Sequence, residues 1–482
     1  MAKSARSNAA LAKLQRDAEA AAAIPAPASY SGVVPSLCMK ADQGPARSEC
    51  GIGGLVSFAG KLWAITYVSH RKHTGTGTGL YEIDENLRMV KRPESYPGTY
   101  ANRFIHAESE QLFIGPWAID NQRRVRTITP LLDIRLAGTA RHLTDPKNKV
   151  LFLGMEGELF EVDVKTLAVK QIADLVKVLD TPGEGRVHFK DIYTAFGRVV
   201  VADNTYDEAD FEGKTADGRL AEWDGKTWRI LERKPFVSIN GLGNFAKTGT
   251  IFASGWDRAS AILKVYTDRN KTWSTYRLPK ATQTHDHMWQ TEWPRIRSIE
   301  HERMMLDLHG MFYELSPHCY INKLWGVRPI STHLWVIPDY ASYRGLLVMG
   351  SDNASFESGE NTTCIEPQSG LWVGKTDDLW NFGKPAGWGG PLWNDRIQAN
   401  TPSDPYLMTG FDNKCIHLSA DAAITFTIEI DFLGTGDFKP YLKLAVAKDG
   451  YAHHVFPPGF SAHWLRVTTN KTCTATAQLH YT

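Results

Sequence analysis

Hydrophobic and polar positions alternate along most of this chain in short runs, and the clearest case lies between residues 138 and 167. Residues 139–144, 150–155 and 159–164 predict three strands, the second almost wholly apolar and the third alternating. Asp145-Pro146-Lys147-Asn148 and Glu156-Gly157-Glu158 separate them. Turn residues between β-branched and aromatic runs are the signature of an antiparallel meander. One meander cannot bury its own faces in water, so further units are expected to cover it.

The chain supplies them at 51–90, 102–128, 187–231, 238–278, 291–315 and 330–373. The ends of the second runs, at Ser69, Gly115, Gly154, Asp203, Gly255, Leu308 and Gly350, are 39 to 53 residues apart. A quasi-period of this length, each unit a three- or four-stranded meander, predicts an all-β fold, a seven-bladed β-propeller over residues 51–400. From about residue 401 strict alternation with Gly-Thr-Gly-Asp and Lys-Asp-Gly turns predicts a small C-terminal β-sandwich-like module over 401–482. Residues 1–50 read as a short amphipathic helix and a Pro/Ala-rich linker segment.

Composition narrows the partners. With 22% charged residues and a net charge of +1, the chain has no basic stripe for nucleic acid or an anionic membrane. It also lacks an apolar run of about 18 residues that could span a bilayer. The N-terminus has no signal-peptide apolar region; location is read as secreted or periplasmic if a leader was removed, and otherwise cytoplasmic. Six cysteines show no Cys-x-x-Cys spacing. Cys38/Cys50 and Cys415/Cys473 are disulfide candidates in an exported protein and plain thiols in a cytosolic one. The 15 Trp, 17 Tyr and 20 Phe suit either a β core or the stacking of sugar rings.

In a propeller, the loop entering each blade and the loop after its second strand lie on one face, so residues distant in sequence meet there. Histidines recur at such positions. His106, His142 and His188 lie on presumed inner strands, with Lys190 and Tyr193 beside the last of these. Asn204, Tyr206, Trp117 and Trp256 follow second strands, and Arg219 opens a third strand. His285 and His287 precede the sixth unit, His309 follows its second strand, and His333 enters the seventh. Two chemistries would use this set. The His-x-His pair with His309 and His333 could ligate zinc or another divalent cation. Alternatively His and Tyr could move protons while Arg219 holds a carboxylate. No nucleotide or nucleophile-elbow motif is present, and no organic cofactor is expected.

Several stretches together resemble the seven-bladed propeller polysaccharide lyases, a superfamily that includes ulvan lyases and rhamnose–glucuronate lyases. They are NRFIHAESEQLFIGP at 102–116, GTARHLTDPKNKVLFLGMEGELFEVDV at 138–164, YTAFGRVVVADNTYDEADFEG at 193–213, TEWPRIRSIEHERMMLDLHGMFYEL at 291–315, RPISTHLWVIPDYASYRGLLV at 328–348 and SDPYLMTGFDNK at 403–414. The resemblance implies β-elimination on an acidic, uronate-containing polysaccharide or oligosaccharide. A base takes the C5 proton, an acid protonates the departing O4, and a cation neutralises the C6 carboxylate. It implies His106 and His142 as the histidines, Tyr206 or Tyr193 as the tyrosine, and Arg219 or a metal as the cation. His188, Lys190, Asn204, Trp117 and Trp256 would bind substrate, and His285, His287, His309 and His333 would hold zinc. The chain departs from the pattern at Arg126, where a second histidine is expected about twenty residues after the first. A non-catalytic glycan-binding propeller and a metal-dependent glycan hydrolase are the alternatives.

Overall fold

A computed structural model describes residues 32–33, 39–40, 49–68, 78–182, 187–207, 217–242, 249–282, 293–299, 303–316, 319, 323–354 and 368–482. The 138–167 stretch forms strands Leu136–Arg141, Lys149–Gly154 and Glu158–Asp163, and a fourth, Val169–Asp174, completes its sheet. Burial explains the sequence pattern. The second strand is buried on both faces and therefore reads as a continuous apolar run, whereas the outer fourth strand has no buried residue.

The same antiparallel order recurs along the chain. In sequence, the first strands of the successive meanders are Glu49–Phe58, Arg103–His106, Leu136–Arg141, Phe189–Ala195, Phe236–Gly241, Arg295–Ile299 and Tyr340–Tyr343. These are called the first to seventh meanders below. No sheet closes on itself; the meanders pack face to face. One apolar cluster joins the first three, and others join the third to the fourth, the fourth to the fifth and the sixth to the seventh. A further cluster, with Ile52, Leu55 and Leu62 against Tyr343, Val348 and Val373, packs the seventh on the first. Separate sheets, each with its core shared with the next, define a β-propeller.

Three boundaries differ from the sequence reading. Residues 330–332, read as the start of the seventh unit, belong to Arg328–Thr332, the fourth strand of the sixth meander. Gly32–Val33, from the expected linker, pairs with Leu371–Gly374 as the fourth strand of the seventh. Gly387–Ile397 precedes the expected boundary at residue 400 yet pairs with Cys473–Tyr481 in a C-terminal sheet. A second C-terminal sheet continues into the fifth meander, where Arg277 pairs in parallel with Tyr406. Both sheets share one apolar cluster with the fifth and sixth meanders.

The candidate disulfide between Cys415 and Cys473 does not form, and both thiols are free. Cys415 opposes His480, and Cys473 lies seven residues away at the other end of that strand. That separation is roughly 23 Å at strand rise, beyond disulfide reach. Cys38 and the side chain of Cys50 lie outside the described residues.

Polar groups cross-link the first strands at the axis. Asp339, with no exposed surface, leads into the seventh meander. Its carboxylate accepts hydrogen bonds from Leu55 N (2.7 Å), Arg103 Nε (2.5 Å) and Arg297 Nε (2.7 Å), tying together four meanders. Burial alone would raise its pKa, but the two guanidiniums and the amide outweigh it and hold the carboxyl below the usual range. Asp191 of the fourth meander accepts Ile239 N at 2.8 Å, and Asn240 donates to Ile296 O at 2.9 Å. Removing one partner of such a buried cluster leaves charge unpaired. Asp339→Asn is therefore expected to lower the unfolding free energy by about 3–5 kcal/mol, measured as a reduced urea midpoint.

Candidate functional site

The starts of the first strands and the ends of the second strands share one face, called the top face. Three neighbouring meanders contribute to one assembly there. Asn204 follows the second strand of the fourth, Trp256 ends that of the fifth, and His309 follows that of the sixth. Trp256 Nε1 donates to Asn204 Oδ1 at 2.9 Å. The indole meets His309 edge-on at 6.3 Å and Tyr206 at 5.8 Å. Local turn chemistry presents the histidine: His309 and Gly310 have φ of 50° and 77°, the two left-handed positions of a tight hairpin turn. Its carbonyl accepts Ala281 N and Thr282 N.

This assembly carries unmet hydrogen-bonding capacity. His309 is 1% exposed, and among the described residues neither ring nitrogen has a partner; Asn204 has no exposed surface, and its Nδ2 is likewise unpaired among them. Burial, and then the nearby charge of Lys280, push the imidazole well below its ordinary pKa, so it is neutral at physiological pH. Lys280 is fully buried. Its ammonium lies 5.7 Å from the Trp256 ring centre and 5.5 Å from that of Trp388, and donates to Asp257 O at 2.7 Å. Burial lowers its pKa to about 8. Nearer the axis, Lys190 lies 4.7 Å and Arg295 4.8 Å from the Trp293 ring centre, and Arg295 Nε is unpaired. Between the first strands a cavity of about 270 Å³ is lined by Tyr193, Asn240, Arg141 and Arg297.

The candidates from the sequence fall into distinct settings. Asn204, Tyr206, Trp256 and His309 are brought together, and Lys190 lies toward the axis on the same face. Tyr193 is on the cavity wall, its hydroxyl donating to Gly241 O at 2.8 Å. The backbone N–H of His188 donates to Thr205 Oγ1 at 3.1 Å, beside this group. His106 and His142 lie at the opposite ends of their first strands and serve turns. His106 Nε2 bonds Pro146 O at 2.7 Å and its Nδ1 accepts from Ser109 N. His142 Nε2 bonds Glu161 at 3.0 Å and its Nδ1 accepts Asp145 N at 2.9 Å. Arg219 donates to the carbonyls of Leu179, Asp180, Asp217 and Gly218, clasping two loops. Trp117 has no exposed surface and donates to Glu94 O, so it is core and offers no stacking floor.

Of the four expected zinc ligands, His285 and His287 lie outside the described residues. His333 Nε2 bonds Asp307 at 2.9 Å and its ring stacks on Phe312 at 4.2 Å. Among the described residues no three His, Cys, Asp or Glu side chains are grouped as a metal site. Two imidazoles with free nitrogens do not by themselves make one.

Lys280, Arg295 and Asp339 were missed as candidates. Arg103, Arg295 and Arg297 did carry a signal: charges on inner strands flanked by apolar runs. Lys280 had only its position after the mixed 272–278 strand.

No protein family and no curated protein matches the chain. Similar solved structures include a luciferin-regenerating enzyme, at TM-score 0.36 and 10% identity over 58% of this chain and 92% of that one. Another is the Cps50 (Swd1) β-propeller domain of Myceliophteria thermophila, at 0.39 and 10% over 70% and 99%. A third is U3-55K, at 0.41 and 9% over 71% and 99%. The propeller class is carried by this chain's own meanders, and at these identities no activity transfers.

The bonding pattern separates the histidines experimentally. His106→Ala is expected to destabilise by about 1–3 kcal/mol because it orphans buried turn groups. His309→Leu, which removes unpaired polar atoms, is expected to leave the thermal midpoint unchanged or raised. Differential scanning calorimetry of the two variants checks both.

Proposed function

We propose that this chain is a seven-bladed propeller lyase that cleaves a uronate-containing glycan by β-elimination on its top face. The observation that carries the reading is His309, a buried neutral imidazole with both nitrogens free, next to an indole and a buried ammonium. Buried polar groups without partners cost about 1–3 kcal/mol each, and a ligand that meets them recovers that cost. The resemblance to propeller lyases supports the reaction type but directs it to other histidines; the bonding of His106 and His142 favours His309 instead.

In this reading the sugar lies beside Trp256, and the unpaired Asn204 Nδ2 donates to a sugar oxygen. Lys280 stands nearest as a cation for the C6 carboxylate, which makes the C5 proton more acidic. His309 takes that proton. The C5–H electron pair becomes the C4–C5 double bond as the C4–O4 bond breaks, and Tyr206 supplies a proton to the departing oxygen. No step requires a metal. Lys280 keeps its positive charge below its pKa of about 8 and loses it above, so elimination should weaken on the alkaline side.

The test is incubation with ulvan and gum arabic while following ultraviolet absorbance of the unsaturated uronate product. His309→Leu should lose activity by on the order of 10²–10⁴-fold, while the fraction of His106→Ala that folds keeps its turnover. Reducing ends without absorbance would mean hydrolysis, and binding without either product would mean a glycan-binding propeller; each outcome rejects the lyase reading. In the wild type, turnover is expected to fall as pH rises through about 8, and Lys280→Met should abolish that alkaline limb along with most of the rate.

A further inference from the structure

The segment that carries Lys280 and braces His309 is gripped from outside the propeller, by the C-terminal sheet. Residues 387–390 read Gly-Trp-Gly-Gly, one aromatic among glycines at the start of the Gly387–Ile397 strand. The glycines let this strand close on the fifth meander. A Cβ at Gly387 would stand 2.7 Å from Lys280 O, too near for any side chain, and Gly389 has a φ of 137° that favours glycine. Gly390 N donates to Ala259 O at 2.9 Å.

Trp388 makes the contact that matters for the top face. Its backbone N–H and that of Lys280 each donate to the other's carbonyl at 2.8 Å, an isolated antiparallel bridge. The indole is 4% exposed, and its Nε1 donates to Thr282 O. Ala281 N and Thr282 N in turn donate to His309 O at 3.1 and 3.3 Å. Segment 280–282 is thus bonded to Trp388 and to the His309 turn at once, so a displacement of Trp388 is passed to both Lys280 and His309. The Trp388 ring also lies 5.5 Å from the Lys280 ammonium, which has the Trp256 ring 5.7 Å away. Asp257, Arg277 and Arg258 are the charges acting on that ammonium, and burial outweighs the attraction of Asp257.

We propose that Trp388 is a positioning residue of the top-face site, through which the C-terminal sheet sets where Lys280 and His309 stand. The proposal rests on the function proposed above, because the positions it sets serve catalysis there.

The experiment compares Trp388→Phe, Trp388→Ala and Leu392→Ala in the full chain. Each is assayed on the uronate glycan that the wild type cleaves, and by the pH dependence of acetic anhydride labelling at Lys280, read by mass spectrometry. Leu392 is buried on the same strand and its carbonyl accepts from Gln478. Leu392→Ala therefore costs stability while sparing the bonds to 280–282, and its folded fraction should keep the wild-type kcat. Trp388→Phe retains a ring beside the ammonium but loses the donor to Thr282 O. Its kcat should fall about tenfold, the equivalent of one buried hydrogen bond, with KM little changed and the alkaline limb still near pH 8. Trp388→Ala admits water to Lys280. Because burial is what depresses that amine, both the alkaline limb and the labelling midpoint should move up toward the ordinary lysine range. The proposal is overturned if Trp388→Phe keeps the wild-type kcat, or if Leu392→Ala lowers kcat equally, which would mean loss of fold alone. A labelling midpoint unmoved in Trp388→Ala overturns it too. A wild type that eliminates no uronate glycan rejects the lyase reading instead, and the labelling arm then still decides whether Trp388 governs Lys280.

Discussion

Everything in this fold depends on how the first strands meet at the axis, and Asp339 is the group that makes that meeting possible. The meanders are separate sheets held by apolar clusters between neighbours, and such packing is non-directional. It brings strands together without defining how they face one another at the centre. A buried carboxylate that accepts from Leu55, Arg103 and Arg297 at once admits one arrangement. The carboxylate and its three partners come from four meanders, so this constraint exists only once the ring is assembled.

The functional geometry follows from the same ring. Because the meanders are antiparallel, residues after the second strands return to the face where the first strands begin. Asn204, Trp256 and His309 are therefore neighbours despite being about fifty residues apart in sequence. Asp339 at the axis is fully hydrogen-bonded, whereas this group beside it is left partly unsatisfied. That contrast separates structural histidines from available ones. His106 and His142 close turns with both nitrogens engaged, and His309 holds two nitrogens that nothing in the described chain uses.

Much of the fold was legible from alternation. The second strands, buried on both faces, stood out as continuous apolar runs, and their ends formed a regular ruler. Fourth strands were the weak point. Val169–Asp174, Trp228–Glu232 and Val125–Thr127 lie at outer edges, mix apolar and polar residues, and carry little periodic signal. Residues 330–332, in the fourth strand of the sixth meander, were read into the seventh unit. Of the candidate site, the convergence of Asn204, Tyr206, Trp256 and His309 could be anticipated from topology. The hydrogen-bond partners of each histidine could not, since Pro146 and Glu161 become partners only through turn geometry and strand pairing.

The amino-acid sequence by itself determined most strand positions, the repeat, the near-neutral net charge and the side of each meander on which polar residues would collect. These are local properties, set by side-chain period and turn chemistry over a few residues. Tertiary structure decided the rest: which histidines are spent on turns, that Trp117 is core, that Cys415 and Cys473 stand at opposite ends of neighbouring strands, and that Lys280 is enclosed between two indoles. Each depends on burial and on contacts between residues far apart in the chain. Whether a polar atom keeps a free valence is decided only by the complete set of neighbours.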